Sequence, residues 1–355
     1  MKEERGSMER WNKLLRGEEV DRVPVVPLGP GYEAIACGYE NLGDFFAKPE
    51  VMVKCQVLAR ELYGVDQPPF LIPDNYWGGQ WGSEVELPYR KSMSAPSVKK
   101  SVVTSPEELE ELEMPDPREE MQNLHEKVRI AIEEYDERPL VQIAGGSVSG
   151  TAPMLVSIED FMKWTRTNPD LCRKALEMTA DFAIETVEWF VEDFGTDNWI
   201  PWDALPTDAN VLISAENFGD LVVPSLKRLH QEVLDMGLPM WFTHWCSDHN
   251  KNIEAGHIDE IPHGERGIIW FGPEVDVERS VELFGDEHII GGNVDPPSVQ
   301  NKSYEEVLEL SKENIEKGKD SPTGYFLTVG CGIPPFAPPM NIYAMVKASK
   351  KYGRY

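Results

Sequence analysis

Basic residues, cysteines and long apolar runs are all scarce in this chain, and each shortage removes a class of function. The 355 residues hold 34 lysines and arginines against 62 acidic residues, a net charge of −28. Phosphate backbones would be repelled by that excess, so nucleic acid is excluded as a partner. An anionic membrane surface is disfavoured for the same reason. The five cysteines, Cys37, Cys55, Cys172, Cys246 and Cys331, are odd in number and widely spaced. No disulfide framework is implied, and a reducing cytoplasm is expected. No apolar stretch approaches the roughly 20 residues of a membrane span. The opening MKEERGSMERWNKLLRG has no apolar core, so no secretory leader is expected. No G-x-G-x-x-G follows the first apolar run and no Walker lysine loop exists, so nucleotide binding has no support.

What is present is a rhythm. Eight short apolar or β-branched runs recur, at residues 22–29, 67–74, 138–146, 198–205, 239–246, 266–272, 287–295 and 324–332. Several are hydrophobic throughout, as strands of a parallel sheet buried on both faces should be. Helical stretches separate them. Residues 214–236 open on Ser214 as a cap and end at Gly237. Residues 303–318 open on a Ser-x-x-Glu capping box. Residues 158–194 read as one or two long helices, and residues 105–136 are strongly acidic. Eight strand–helix units predict an α/β fold, a (β/α)8 barrel, as one domain over 1–355 with an extra helical insertion around 75–136. A doubly wound open sheet is the alternative. The glycine-rich GGSVSG at 145–150 shapes a rim loop or only a tight turn.

Barrel sites sit at the carboxyl ends of strands, so the end of each run carries the chemistry. His244 and Cys246 end the fifth run and Cys331 ends the eighth. Side chains alternate along a strand, so an H-x-C presents both ligands to one side. An imidazole and two thiolates form a zinc set with a fourth position open for chemistry. Taken singly, each residue also reads as ordinary core packing. Rim carboxylates compete for catalytic roles. Asp203 is a candidate general acid or base. Glu274 and Asp295 are candidate fourth ligands or supporting partners, or else helix caps and surface carboxylates. Asn293 and Asp74 are further rim candidates. His249 and Asp248 are expected to be exposed beyond the strand. Six tryptophans fall near the predicted rim, Trp77, Trp81, Trp199, Trp202, Trp245 and Trp270. Of these Trp77, Trp202 and Trp245 are assigned to a flat ligand, with simple packing as the alternative.

DRVPVVP near the start, the segment from LISAENFGD to FTHWC, GGNVDP and GCGIPPFAPPMNIYAM together resemble the uroporphyrinogen decarboxylase superfamily. The H-x-C and the late cysteine resemble its zinc-dependent, corrinoid-linked methyltransferase branch. The resemblance covers nearly the whole chain and implies the same barrel. It implies that His244, Cys246 and Cys331 bind Zn2+. It implies a methyl group moving between a small substrate and the cobalt of a partner corrinoid protein. Zinc would hold a thiol such as coenzyme M as its thiolate, or polarise a methyl ether oxygen as in an O-demethylase. The cobalamin is expected to stay with that partner rather than on a D-x-H-x-x-G motif of this chain. Two departures matter. Decarboxylases of the superfamily carry arginines after the first strand, where this chain has PLGPGYEAIACGYE with Glu33. Thiol-methylating members usually have glycine where this chain has Ser247. A metal-free decarboxylase and a non-catalytic zinc-stabilised binding barrel remain the alternatives.

Overall fold

The computed structural model describes residues 6–75, 77–143 and 147–355, so part of the glycine-rich 145–150 stretch lies outside the described residues. Seven of the eight runs form one parallel sheet. Its strands are β1 (Phe70–Leu71), β4 (Leu140–Gln142), β5 (Ile200–Ala204), β6 (Phe242–Trp245), β7 (Ile268–Phe271), β8 (Ile289–Val294) and β9 (Tyr325–Val329), hydrogen-bonded in that order. Every residue of β4 to β9 is buried. That accounts for their continuous apolar character, because helices cover the outer face while side chains fill the inside.

The first run, 22–29, takes the eighth place without forming a ladder. Pro24 and Pro27 have no N–H to donate, so pairing is limited to single contacts. Val25 bridges Leu327 in parallel. Val26 N donates to Leu327 O at 2.9 Å, and Leu327 N to Pro24 O at 2.9 Å. On the other side Asp66 N donates to Val25 O at 2.7 Å. The ring closes there, giving a (β/α)8 barrel.

Asp66 is the clasp. It is fully buried, and its carboxylate accepts from Val25 N at 2.8 Å, Arg10 Nη1 at 2.5 Å and Arg22 Nη1 at 2.9 Å. Arg22 Nη1 also reaches Ser349 Oγ at 3.0 Å, on the last helix (Pro339–Tyr352). Charge-assisted bonds replace the ladder that the prolines forbid.

The helices form where caps and prolines dictate. The 158–194 stretch is two helices, Ile158–Thr167 and Pro169–Phe194, divided at Asn168 because a residue before proline avoids the α region. Ser214 caps Ala215–Asn217, and a π turn at Phe218–Val222 leads into Val223–Asp235, where Pro224 lacks a backbone donor. The capping box at Ser303 and Glu306 starts Tyr304–Gly318. Among the described residues no helix is long and apolar enough to cross a membrane.

The insertion holds helices Pro106–Glu111, Pro117–Glu120 and Gln122–Glu133. Before them comes an antiparallel pair that was not expected, β2 (Glu84–Glu86) and β3 (Ser97–Lys100). The charged run dominated the composition, while Val85 and Val98, facing each other across the pair, set the local pattern.

Asp66→Ala is expected to lower stability by about 3–5 kcal/mol, because Arg22 stays buried without a carboxylate and Arg10 keeps only Asp21. Urea unfolding measures it. A loss of about 1 kcal/mol or less, as at an exposed ion pair, would mean that the barrel closes without the clasp.

Candidate metal centre and its pocket

The carboxyl ends of β1, β4–β7 and β9, with Gln300 from the helix after β8, line a cavity of about 620 Å³. Alternation along β6 sorts its residues. His244 and Cys246 line the cavity, whereas Trp245 points outward and packs edge-on against Phe218 and His249, with ring centroids 6.3 and 5.3 Å away. Trp245 is therefore a core residue and not a substrate contact. The spacing that turns His244 and Cys246 inward turns it away.

His244 is 3% exposed and held on three sides. Its ring stacks on Trp270 at 3.7 Å and faces Trp202 at 6.4 Å. Its Nδ1 lies 3.1 Å from the Trp270 carbonyl oxygen. A carbonyl only accepts, so Nδ1 carries the hydrogen and Nε2 keeps a lone pair. That Nε2 is buried with no hydrogen-bond partner. Cys331 follows β9, and its sulfur lies 3.6 Å from that of Cys246. The ligand atoms of His244, Cys246 and Cys331 all fall within 4.8 Å of one another. Two thiolates about 2.3 Å from one tetrahedral zinc stand about 3.8 Å apart, so the donor set and its spacing fit that ion. A ring nitrogen fixed by a backbone carbonyl on its far side is the usual support for a metal-binding histidine.

The two thiols share one hydrogen bond asymmetrically. It lowers Cys331 from the ordinary thiol range, against the opposing effect of burial. The same bond pushes Cys246 up, with burial and the nearby Glu274 carboxylate adding to it. Cys331 is thus the more acidic sulfur of the pair.

The surrounding loops hold these side chains in place. Ser247 has φ +69°, a left-handed conformation that glycine adopts without cost. His249 is buried, against the expectation of exposure. Its Nε2 faces the carbonyls of Leu205 and Cys246 at 3.3 and 3.1 Å, and Nδ1 meets Asn252 Nδ2 at 3.0 Å. Burial lowers its pKa to about 4, so it stays neutral and pins the turn after Cys246. Gly29 presses on the turn after Cys331. A Cβ there would meet Ile333 N at 2.3 Å, while Ile333 N donates to Leu28 O at 2.9 Å.

Three proposed catalytic residues fare differently. Asp203 faces outward on β5 and contacts His230 Nε2 at 3.0 Å, while its neighbours Trp202 and Ala204 line the cavity. Alternation removes it from the reaction space. Asn293 is spent on structure, because its Nδ2 donates to the carbonyls of Gly272 and Val275 at 2.9 and 2.7 Å. Glu274, on the loop Asn293 holds, is exposed and near enough to Cys246 to act on its charge, but outside the ligand cluster. Asp295 caps the helix Pro296–Asn301 through Ser298 N at 2.9 Å. Asp74 lies outside the cavity lining.

Of the tryptophans, Trp77 and Trp202 line the cavity, and Trp270 joins them. Trp81 packs on Phe182 and Trp199 on Phe190. Register would have found Trp270, since it pairs directly with His244 across β6 and β7. The spacing D-x-H-x-x-G does occur, at Asp286 to Gly291, contrary to expectation. Its histidine precedes β8, at the end of the barrel opposite the mouth, so it has no part in this cavity.

Fold and site thus define a (β/α)8 barrel with a His-Cys-Cys cluster at its mouth whose ligand atoms could hold a metal ion. The description "Uroporphyrinogen decarboxylase (URO-D)" matches residues 7–352, and the chain belongs to that family. The methylcobamide:CoM methyltransferase MtaA of Methanosarcina barkeri is 25% identical over 348 residues, covering 95% of this chain and 96% of that protein. The uroporphyrinogen decarboxylase of Bacillus subtilis is 22% identical over 371 residues, with 98% of each covered. A solved methyltransferase from Methanosarcina mazei superposes with a TM-score of 0.78 at 22% identity, covering 98% of this chain and 99% of that one, which supports the fold.

Two outcomes are expected. In metal-free protein, iodoacetamide near pH 7 alkylates Cys331 before Cys246, as peptide mapping would read, because only thiolate reacts. Trp270→Phe removes the 2.8 Å bond from its Nε1 to Val329 O. It costs about 1–3 kcal/mol in urea unfolding by leaving that carbonyl unpaired.

Proposed function

We propose that this protein is a zinc-dependent methyltransferase moving a methyl group between a small substrate and the cobalt of a partner corrinoid protein. The observation that carries the reading is the orphaned, buried His244 Nε2 beside Cys246 and Cys331 at the mouth of a URO-D-family barrel. The names of relatives across the whole chain support methyl transfer as the reaction class. Zinc, when bound there, would lower the pKa of a substrate thiol or polarise a methyl ether oxygen, with its fourth position open to either.

This chain's own residues do the binding and orienting. Trp270 aims the His244 lone pair by accepting its Nδ1 hydrogen. Phe70, Trp202 and Trp270 line the cavity with ring faces and edges. They exclude water and suit a flat methylated or methoxylated compound, which favours O-demethylation over a compact aliphatic thiol. Cys246 and Cys331 line the cavity, so a substrate atom bound to a metal there would face it, and a corrinoid partner could approach from the mouth. The decarboxylase alternative draws no comparable support. No arginine is among the described residues that line the cavity, and Glu33 is buried and bound to Gly31 N and Gln67 Nε2 at 2.9 and 3.1 Å.

The test is elemental analysis of wild type and Cys331→Ala, purified without chelator, followed by methyl transfer from a methoxybenzoate to cob(I)alamin. The wild type should hold about one zinc per chain, a structural-strength affinity in this donor set, and the variant should lose it. Transfer should be abolished with it. Wild type that neither retains zinc nor takes it up on reconstitution would sink the proposal.

A further inference from the structure

Lys91 is the only charged side chain among the described residues that line the cavity, apart from the metal-ligand set. It sits with Ser92, Ser94 and Ala95 on the loop joining β2 and β3, and that loop forms one wall of the cavity. The remaining lining is apolar, aromatic or neutral amide, with Gln142 and Gln300 as the amides. No carboxylate lines it among the described residues. In a chain of net charge −28, a substrate anion approaching the mouth meets repulsion almost everywhere else.

We propose that Lys91 sets substrate specificity by pairing with an anionic group on the substrate, placed away from the atom that exchanges the methyl group. The proposal rests on the reading of the cavity as the substrate pocket and adds the substrate's charge class. Lys91 is free to change partners. Among the described residues its ion pair is with Glu40 at 3.7 Å, with side chains 71% and 80% exposed, a pair that water and salt screen almost completely. Glu40 lies outside the cavity lining, so a seated anion would compete with it for the ammonium and take its place. A seated anion would cover the ammonium and shed water from both, strengthening the pairing over an exposed one. Ser92 and Ser94 add hydroxyl donors on the same wall. The insertion, which contributes nothing to the metal cluster, thereby acquires a role as the wall that reads the distal end of the substrate.

The test measures binding, without cobalamin, in full-length protein loaded with zinc. Quenching of tryptophan fluorescence follows two matched pairs: 3-methoxybenzoate against 3-methoxybenzamide, and 2-mercaptoethanesulfonate against 2-mercaptoethanol. Wild type should bind the anion of at least one pair about five- to tenfold more tightly than its neutral counterpart, the scale of one ordinary net hydrogen bond, as suits a partly exposed lysine. The preference should shrink as salt is raised. Lys91→Gln should bring the pair level, and Lys91→Arg should keep the preference. Equal binding of both members by wild type, no binding of any probe, or a preference that survives Lys91→Gln overturns the proposal. Because no methyl transfer is measured, failure of the methyltransferase reading leaves this outcome separately legible.

Discussion

Everything at the mouth of this barrel depends on how the ring closes. A run carrying Pro24 and Pro27 cannot complete two ladders, so closure rests on a few backbone contacts and on Asp66 held between Arg10 and Arg22. The trade is a directional hydrogen-bond ladder for a buried charge cluster. Such a cluster is costly to desolvate and fixed in geometry once formed. Its consequence reaches the site directly. The same run ends in Leu28 and Gly29, which lie against the turn that follows Cys331. Without closure β9 would be an edge strand, and its cysteine would have no fixed relation to β6.

A second constraint is the two-residue period of a strand. On β6 it sends His244 and Cys246 into the cavity and Trp245 into the helix layer. On β5 it sends Trp202 and Ala204 inward and Asp203 toward His230. One rule thus separates chemistry from packing on both strands. Trp270 links the layers. Its ring covers His244, its carbonyl fixes the tautomer, and its indole N–H ties β7 to the end of β9. The cluster of His244, Cys246 and Cys331 is therefore supported by one residue that touches three strands.

The electrostatics of the chain divide by location. The surface carries the excess of acid, while the cavity is neutral except for its sulfurs and Lys91. A neutral apolar wall raises the effect of any fixed charge inside it, because little water remains to screen it. That setting suits chemistry on a thiol or an ether oxygen.

The sequence by itself determined the strand–helix rhythm, the barrel, the inward pair His244 and Cys246, and the place of Cys331 at a second strand end. These are local facts, set by periodicity, caps and residue chemistry. It also settled the capping box at Ser303, because that motif is complete within four residues. The same alternation was available for Asp203 and Trp245, yet the phase of a short all-apolar strand is hard to read when both faces are buried. The β2–β3 hairpin was hidden by the acidic run beside it. Only the tertiary structure decided that Trp270 stands beside His244, that His249 is buried, that Asn293 serves a loop, and that Lys91 reaches the cavity. Each of these depends on register between strands or on loops that cross from one unit to another. Such long-range pairings are fixed by closure of the whole ring, which no local pattern encodes.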